Sequence, residues 1–207
     1  MKDLALIARF AALLVVLALF AHDLYAQPAP GSADAPLPLG AAEPGLSLEQ
    51  AILAALELPH RRPDGSACYA RHCRSAVGGC PARARRMALY FMQSATRHGV
   101  DAWTLAAIAM HESGGNPNAV GAHGELGLCQ LHPRTRHGAM AARICDTQPR
   151  ACAAAIIDGA AQLLASAIRR CGDEAHGLSA YNSGSCDRRL VYAERIFARR
   201  DRMRGAR

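Results

Sequence analysis

The stretch "HESGGNPNAVGAHGELGLCQLHP", residues 111–133, decides the fold, and it opens on an ambiguity. His–Glu begins the helical zinc-protease motif, but that motif needs a second histidine one turn after the first. Position 115 is Gly, so the motif breaks. His123, His132 and His137 follow without ligand spacing, and solvated or hydrogen-bonded histidine is the better reading. No metal and no cofactor is expected. What remains is one carboxylate, Glu112, closing the apolar run "AWTLAAIAMHE" ahead of a glycine-rich loop. Asp101 can cap that run as a helix, with Leu105, Ile108 and Ala109 on its buried face. A carboxyl in this place is partly desolvated and faces the negative end of the helix dipole. Both effects raise its pKa, as a general acid at neutral pH requires. Position alone favours a simply solvent-exposed helix-end glutamate.

Outward from this stretch the chain reads as helical. Hydrophobic residues make up 51% of 207 residues and aromatics 5%, so Ala, Leu, Ile and Val must supply the core. Such Ala/Leu-rich runs favour helices, and the predicted fold class is all-α (mainly helical). Ser47 and Gln50 form a capping-box pair ahead of "LEQAILAALEL", which Pro59 ends. Residues 60–80 read as a basic, cysteine-bearing loop that needs covalent staples. A helix is expected from Pro81 to Gly99, another from about Pro149 to Arg170, and short ones around Leu178–Asn182 and Arg188–Arg200. Residues 201–207 read as a frayed basic tail.

The motifs carry a resemblance. "ESGGNPNAVGAHGELGLCQLHP" is similar to the Glu–Ser and Gly–Leu–Met–Gln signature of the soluble-type lytic transglycosylases (the SLT domain). About fifty residues on, "SAYNSG" (Ser179–Gly184) resembles the family's Ala–Tyr–Asn–x–Gly motif. The resemblance implies a lysozyme-like domain that cleaves peptidoglycan. It makes Glu112 the acid/base, with Ser113 supporting the cleft beside it. It gives Gly127, Leu128 and Gln130 to the cleft loop, with Gln130 able to bond an N-acetyl sugar. Tyr181 becomes a phenol near the carboxylate, and Asn182 a sugar-contacting amide. Cys129 departs from the pattern: it stands where the family usually has Met, on the expected cleft floor.

Glycosidases usually pair two carboxylates, whereas the matched motifs offer one at the expected place. One suffices if the sugar supplies its own nucleophile, which is the family's reaction. The implied reaction cuts the MurNAc–GlcNAc β-1,4 bond without water, leaving 1,6-anhydroMurNAc ends. Glu125 lies inside the matched loop and is expected to face solvent. A hydrolytic muramidase of goose-lysozyme type and a non-catalytic wall-binding protein are the alternatives.

The two ends of the chain set its surroundings. Residues 1–26 read as a secretion signal, with Lys2 and Arg9 supplying positive charge ahead of the apolar run Phe10–Ala21. That run is short for a bilayer span of ~20 residues. Residues 27–45 form a Pro/Ala-rich linker, 46–80 a cysteine-bearing extension and 81–207 the lysozyme-like domain. The expected location is exported, in the periplasm or cell envelope. Loss of 1–26 removes Lys2, Arg9, Asp3 and Asp23, so the net charge stays at +7. A basic exported chain is drawn to anionic polymers such as cell wall, lipid headgroups or nucleic acid, so charge names no partner; the resemblance implies peptidoglycan glycan strands. No nucleic-acid module is present in the sequence. The small size and single domain favour a specialised monomer, serving for instance a secretion or envelope-spanning machine. Eight cysteines in an oxidising compartment suggest disulfides, and the spacing of Cys68, Cys73 and Cys80 does not suit a zinc knuckle. Cys145 pairs naturally with Cys152, just before a long helix, and Cys171 with Cys186 across the Tyr181 segment.

Overall fold

A capping box opens the first helix. Ser47 N–H donates to Gln50 Oε1 (2.9 Å) and Gln50 N–H returns to Ser47 Oγ (3.2 Å), starting α1 (Leu48–Glu57). The structure is a computed structural model that describes residues 46–57, 59–61, 67–69, 73, 77–187 and 189–205. The expected signal and linker, residues 1–45, lie outside the described residues. Within the expected loop 60–80 a short antiparallel pair forms, β1 (Pro59–Arg61) with β2 (Ala67–Tyr69), in the register His60 opposite Cys68. The staple there is Cys73–Cys80.

Six more helices follow among the described residues. α2 (Gly79–His98) starts two residues before Pro81 and ends at Gly99, whose φ of +68° suits a residue without Cβ. Its buried residues Ala84, Met87, Ala88, Phe91 and Ala95 repeat at helical spacing, so one face packs inward. α3 (Ala102–Glu112) begins at Asp101, whose side chain accepts from Trp103 and Thr104 N–H. Every residue from Thr104 to Met110 is buried. A helix apolar on all sides belongs at the centre, and α3 packs against α1, α2, α5 (Cys152–Cys171) and α7 (Val191–Arg204). Between α3 and α5 lie α4 (Arg136–Thr147) and a 3₁₀ turn (Pro149–Ala151). α6 (Glu174–Ser183) starts earlier than the sequence suggests, because Asp173 caps it by accepting from His176 N–H at 2.8 Å. The mainly helical class is borne out, with one two-stranded pair added among the described residues.

The expected frayed tail is overturned over residues 201–204. α7 starts at Val191 and continues to Arg204, with Met203 buried. Arg204 reaches the α3 cap, Nη2 donating to Asp101 Oδ2 at 2.6 Å, and its guanidinium lies over the Trp103 ring. Arg200 and Thr104 both donate to Glu174, tying α7, α3 and α6 together. These partners, distant in sequence, order the end that composition alone describes as a basic tail.

Disulfides Cys145–Cys152 and Cys171–Cys186 join the pairs suggested by spacing. The second spans the end of α5 to the segment after α6.

Candidate active site

Glu112 is the last residue of the central helix and lies only partly exposed. Burial pushes its pKa up. A hydrogen bond from Tyr192 opposes that rise, and the charge of Glu125 adds to it. Tyr192 Oη donates to Glu112 Oε1 at 2.5 Å. Tyr192 comes from α7, is buried, and packs edge-on against His111 with ring centroids 5.5 Å apart. Its own pKa is raised by burial and by the Glu112 carboxylate, so it remains a phenol and a donor.

Two cavities meet at this carboxyl. One, of about 320 Å³, is lined by Glu112, Glu125, Gln130, Tyr181 and Asn182, with His123 and His132 at its loop side. The other, of about 340 Å³, is lined by Glu112, Asn182, Asp187, Arg189, Tyr192 and Arg195. Glu112 and Asn182 line both, so the carboxyl stands midway along an extended groove. A polymer lying along that groove would pass over Glu112.

The glycine-rich loop is folded back on itself beneath the groove. Leu126 bridges both Val120 and Leu131, and Gly127 N–H donates to Ala119 O at 2.7 Å. Gly127 has φ of +57°, and a Cβ there would lie 2.5 Å from Ile156 Cδ1 and 2.9 Å from Pro117 O. Glycine is therefore required by conformation and by space. Gln130 also sits at positive φ, +47°. Its Nε2 donates to Gly127 O at 2.9 Å, which leaves Oε1 as the free group in the groove. An amide oxygen so placed can accept the N–H of an acetamido sugar.

The residues expected at the site therefore divide into two layers. Glu112, Gln130, Tyr181 and Asn182 line the groove. Ser113, Gly127, Leu128 and Cys129 do not line it. Ser113 Oγ lies 3.0 Å from Ala109 O and 2.9 Å from Leu128 O, clasping the loop to the helix end. Leu128 and Cys129 are buried in the core. Cys129 carries a free thiol, and burial pushes its pKa up, so it is inert packing. Tyr181 Oη donates to Cys129 O at 2.8 Å, and its ring stacks on Tyr192 at 6.5 Å. The phenol that touches Glu112 is thus Tyr192, with Tyr181 bracing it.

Glu125 faces solvent at the wall of the open groove. Its side chain lines the groove, and Oε2 accepts from His123 N–H at 2.9 Å. Backbone N–H donors, its own and that of His123, hold its pKa below the usual carboxylate range. A Cβ on Gly121 would lie 2.2 Å from Glu125 Oε2 and 2.6 Å from Gln130 Oε1, so Gly121 makes room for both. His137 lies elsewhere, its Nδ1 2.9 Å from Gln162 Oε1. Tyr192, His111 and Arg195 escape a reading of the sequence. A tyrosine on an arginine-rich helix was a visible signal, but nothing local connects it to a carboxylate eighty residues earlier.

The sequence model of the transglycosylase SLT domain matches residues 89–195, just over half of the chain. The chain belongs to the transglycosylase SLT family. No curated protein matches it. The SLT match runs from within α2 into α7 and includes Glu112, the glycine loop, Tyr181 and Tyr192. SLT domains are helical and lysozyme-like, and act on peptidoglycan as transglycosylase-type enzymes. Three disulfides among the described residues suit an oxidising, exported setting for an SLT protein.

Proposed function

We propose that this SLT domain is a lytic transglycosylase that cleaves the MurNAc–GlcNAc β-1,4 bond with Glu112 as its single acid/base. The supporting observation is the partly buried carboxyl midway along the groove, its pKa raised by burial and its Oε1 held by Tyr192. A raised pKa favours the protonated carboxyl that a general acid needs at the start of the cycle. Glu112 donates its proton to the glycosidic oxygen as the bond from that oxygen to the muramyl anomeric carbon breaks. The GlcNAc departs with a 4-hydroxyl. The Glu112 carboxylate then takes the proton of the muramyl 6-hydroxyl, whose oxygen bonds to the anomeric carbon. Glu112 ends protonated, no water is consumed, and the product carries a 1,6-anhydro ring. Tyr192 stabilises the carboxylate between the two transfers, because its hydrogen bond favours the charged form.

Glu125 favours a second reading, a hydrolytic muramidase in which it serves as the other carboxylate. Its oxygen is already engaged by His123 N–H, which argues for a fixed charge rather than a base. Mass spectrometry of muropeptides released from purified sacculi in ¹⁸O-water separates the readings. Anhydromuramyl ends without label are expected. Reducing muramic ends carrying ¹⁸O would establish hydrolysis instead.

We propose export to the periplasm or envelope as the working location, since the substrate lies there and disulfides form there.

A further inference from the structure

A cavity of about 330 Å³ shares no lining residue with the groove. Arg83, Arg86 and Tyr90 of α2, Asn118 of the loop and Arg150 of the 3₁₀ turn are among its lining residues, and no carboxylate is. Neighbouring arginines behave differently: Arg85 pairs with Glu49 and Arg97 with Asp158. Among the described residues, none of the three cavity arginines has an acidic partner. Arg83 and Arg86 stand one turn apart, so their charges repel. Burial and the Arg86 charge both lower the Arg83 pKa. Arg83 Nη1 is buried with no hydrogen-bond partner. A buried charged donor without an acceptor is costly, so the free protein leaves that cost uncompensated at Arg83, while the exposed guanidiniums of Arg86 and Arg150 add positive charge around the same cavity. An oxyanion entering the cavity would supply the missing acceptors. The planar fork of arginine matches a carboxylate two bonds at a time, and the Tyr90 hydroxyl and Asn118 amide offer neutral donors beside it.

We propose that this cavity is an anion site that takes a carboxylate of the wall polymer's peptide branches, apart from the glycan groove. The identity of the polymer rests on the function proposed above; the site itself rests on the arginines. Holding a branch here while a strand lies in the groove attaches the enzyme at two points, which raises the local concentration of substrate.

The test uses the full exported chain and ¹⁵N NMR of arginine Nε–Hε signals. The probes are a synthetic branch tripeptide with free carboxylates, its fully amidated form, inorganic phosphate, and anionic phospholipid vesicles. The free acid is expected to shift the signals of Arg83, Arg86 and Arg150 saturably, and the amidated form to leave them still. Arg86 and Arg150 are exposed, so the double variant Arg86→Gln, Arg150→Gln should fold, as thermal melting will check. It should bind the free acid at least about tenfold more weakly, while Glu112→Gln binds like the native chain. Equal shifts from the amidated peptide, an unchanged affinity in the double variant, or a response to phosphate or vesicles alone would overturn the proposal. Glycan cleavage measured in parallel separates the two readings. Peptide binding by a chain that cannot cleave glycan rejects the function and upholds the site; cleavage without peptide binding rejects the site alone.

Discussion

Replacing Glu112 by Gln removes one ionisable proton and little else. The Gln Oε1 can still accept from Tyr192, which now bonds Glu112 at 2.5 Å, so the groove should keep its shape. Loss of a general acid/base typically costs ~10²–10⁴ in rate. At about 1.4 kcal/mol per tenfold this is roughly 3–5 kcal/mol of barrier. Because the same carboxyl makes both proton transfers, the loss should fall toward the upper end. The variant should also gain stability, for a stated electrostatic reason. Burial raises the folded pKa of Glu112 above the ~4.3 of an unfolded glutamate. Between those two values the native state binds more protons than the unfolded chain, so stability falls as pH rises through that window. Below the unfolded value both states are protonated, and Glu and Gln should melt alike. Above the folded value the native chain carries a desolvated anion that the variant lacks. Thermal melts at pH 4 and pH 7.5, with initial rates of muropeptide release, measure both effects. Near-native turnover by a folded Glu112→Gln chain would refute the site. Equal melting at pH 7.5 would refute the desolvation argument.

Tyr192→Phe removes the donor that favours the Glu112 carboxylate, so the Glu112 pKa rises further and the alkaline limb of the pH–rate profile should move to higher pH. The same variant should be slower at its optimum, since the carboxyl loses its anchor; a pH–rate series reads both. Glu125→Ala removes a charge that raises the Glu112 pKa, so the alkaline limb should move to lower pH, with most activity kept and anhydro ends unchanged by mass spectrometry. Removing the disulfide with Cys171→Ser and Cys186→Ser opens a cross-link of sequence separation 15, worth about 3 kcal/mol in the chain-entropy picture. Denaturant unfolding should show that loss, and groove activity should fall with the bracing of Tyr181.

Much of this protein was legible from local rules. The capping pair Ser47–Gln50, the Asp101 cap and the Gly99 stop each depend on neighbours within a few residues, and all three form. The apolar run ending in Glu112 identified a helix with a buried face and a carboxyl at its tip; the structure adds that it is buried on every side from Thr104 to Met110. The cysteine spacing likewise suggested two cross-links that close short loops.

What the sequence could not supply was the pairing of residues far apart. Met203 and Arg204 look like part of a solvated tail until α7 returns to Asp101 and Trp103. The two motifs named eight site positions without separating the layers, because the direction of a side chain in a glycine-rich loop depends on what lies beneath it. Ser113 packs on the end of α3, Gly127 lies against Ile156 of α5, and Leu128 and Cys129 are buried in the core, whereas Gln130 and Glu125 line the groove. Composition and motif determined the helical class and the family, and nominated the carboxylate. Only the tertiary structure decided that Tyr192 holds that carboxylate, that Glu125 shares its groove and that three arginines surround a second cavity. A pKa and a binding site depend on distances in space, and residues eighty positions apart carry no local signal of them.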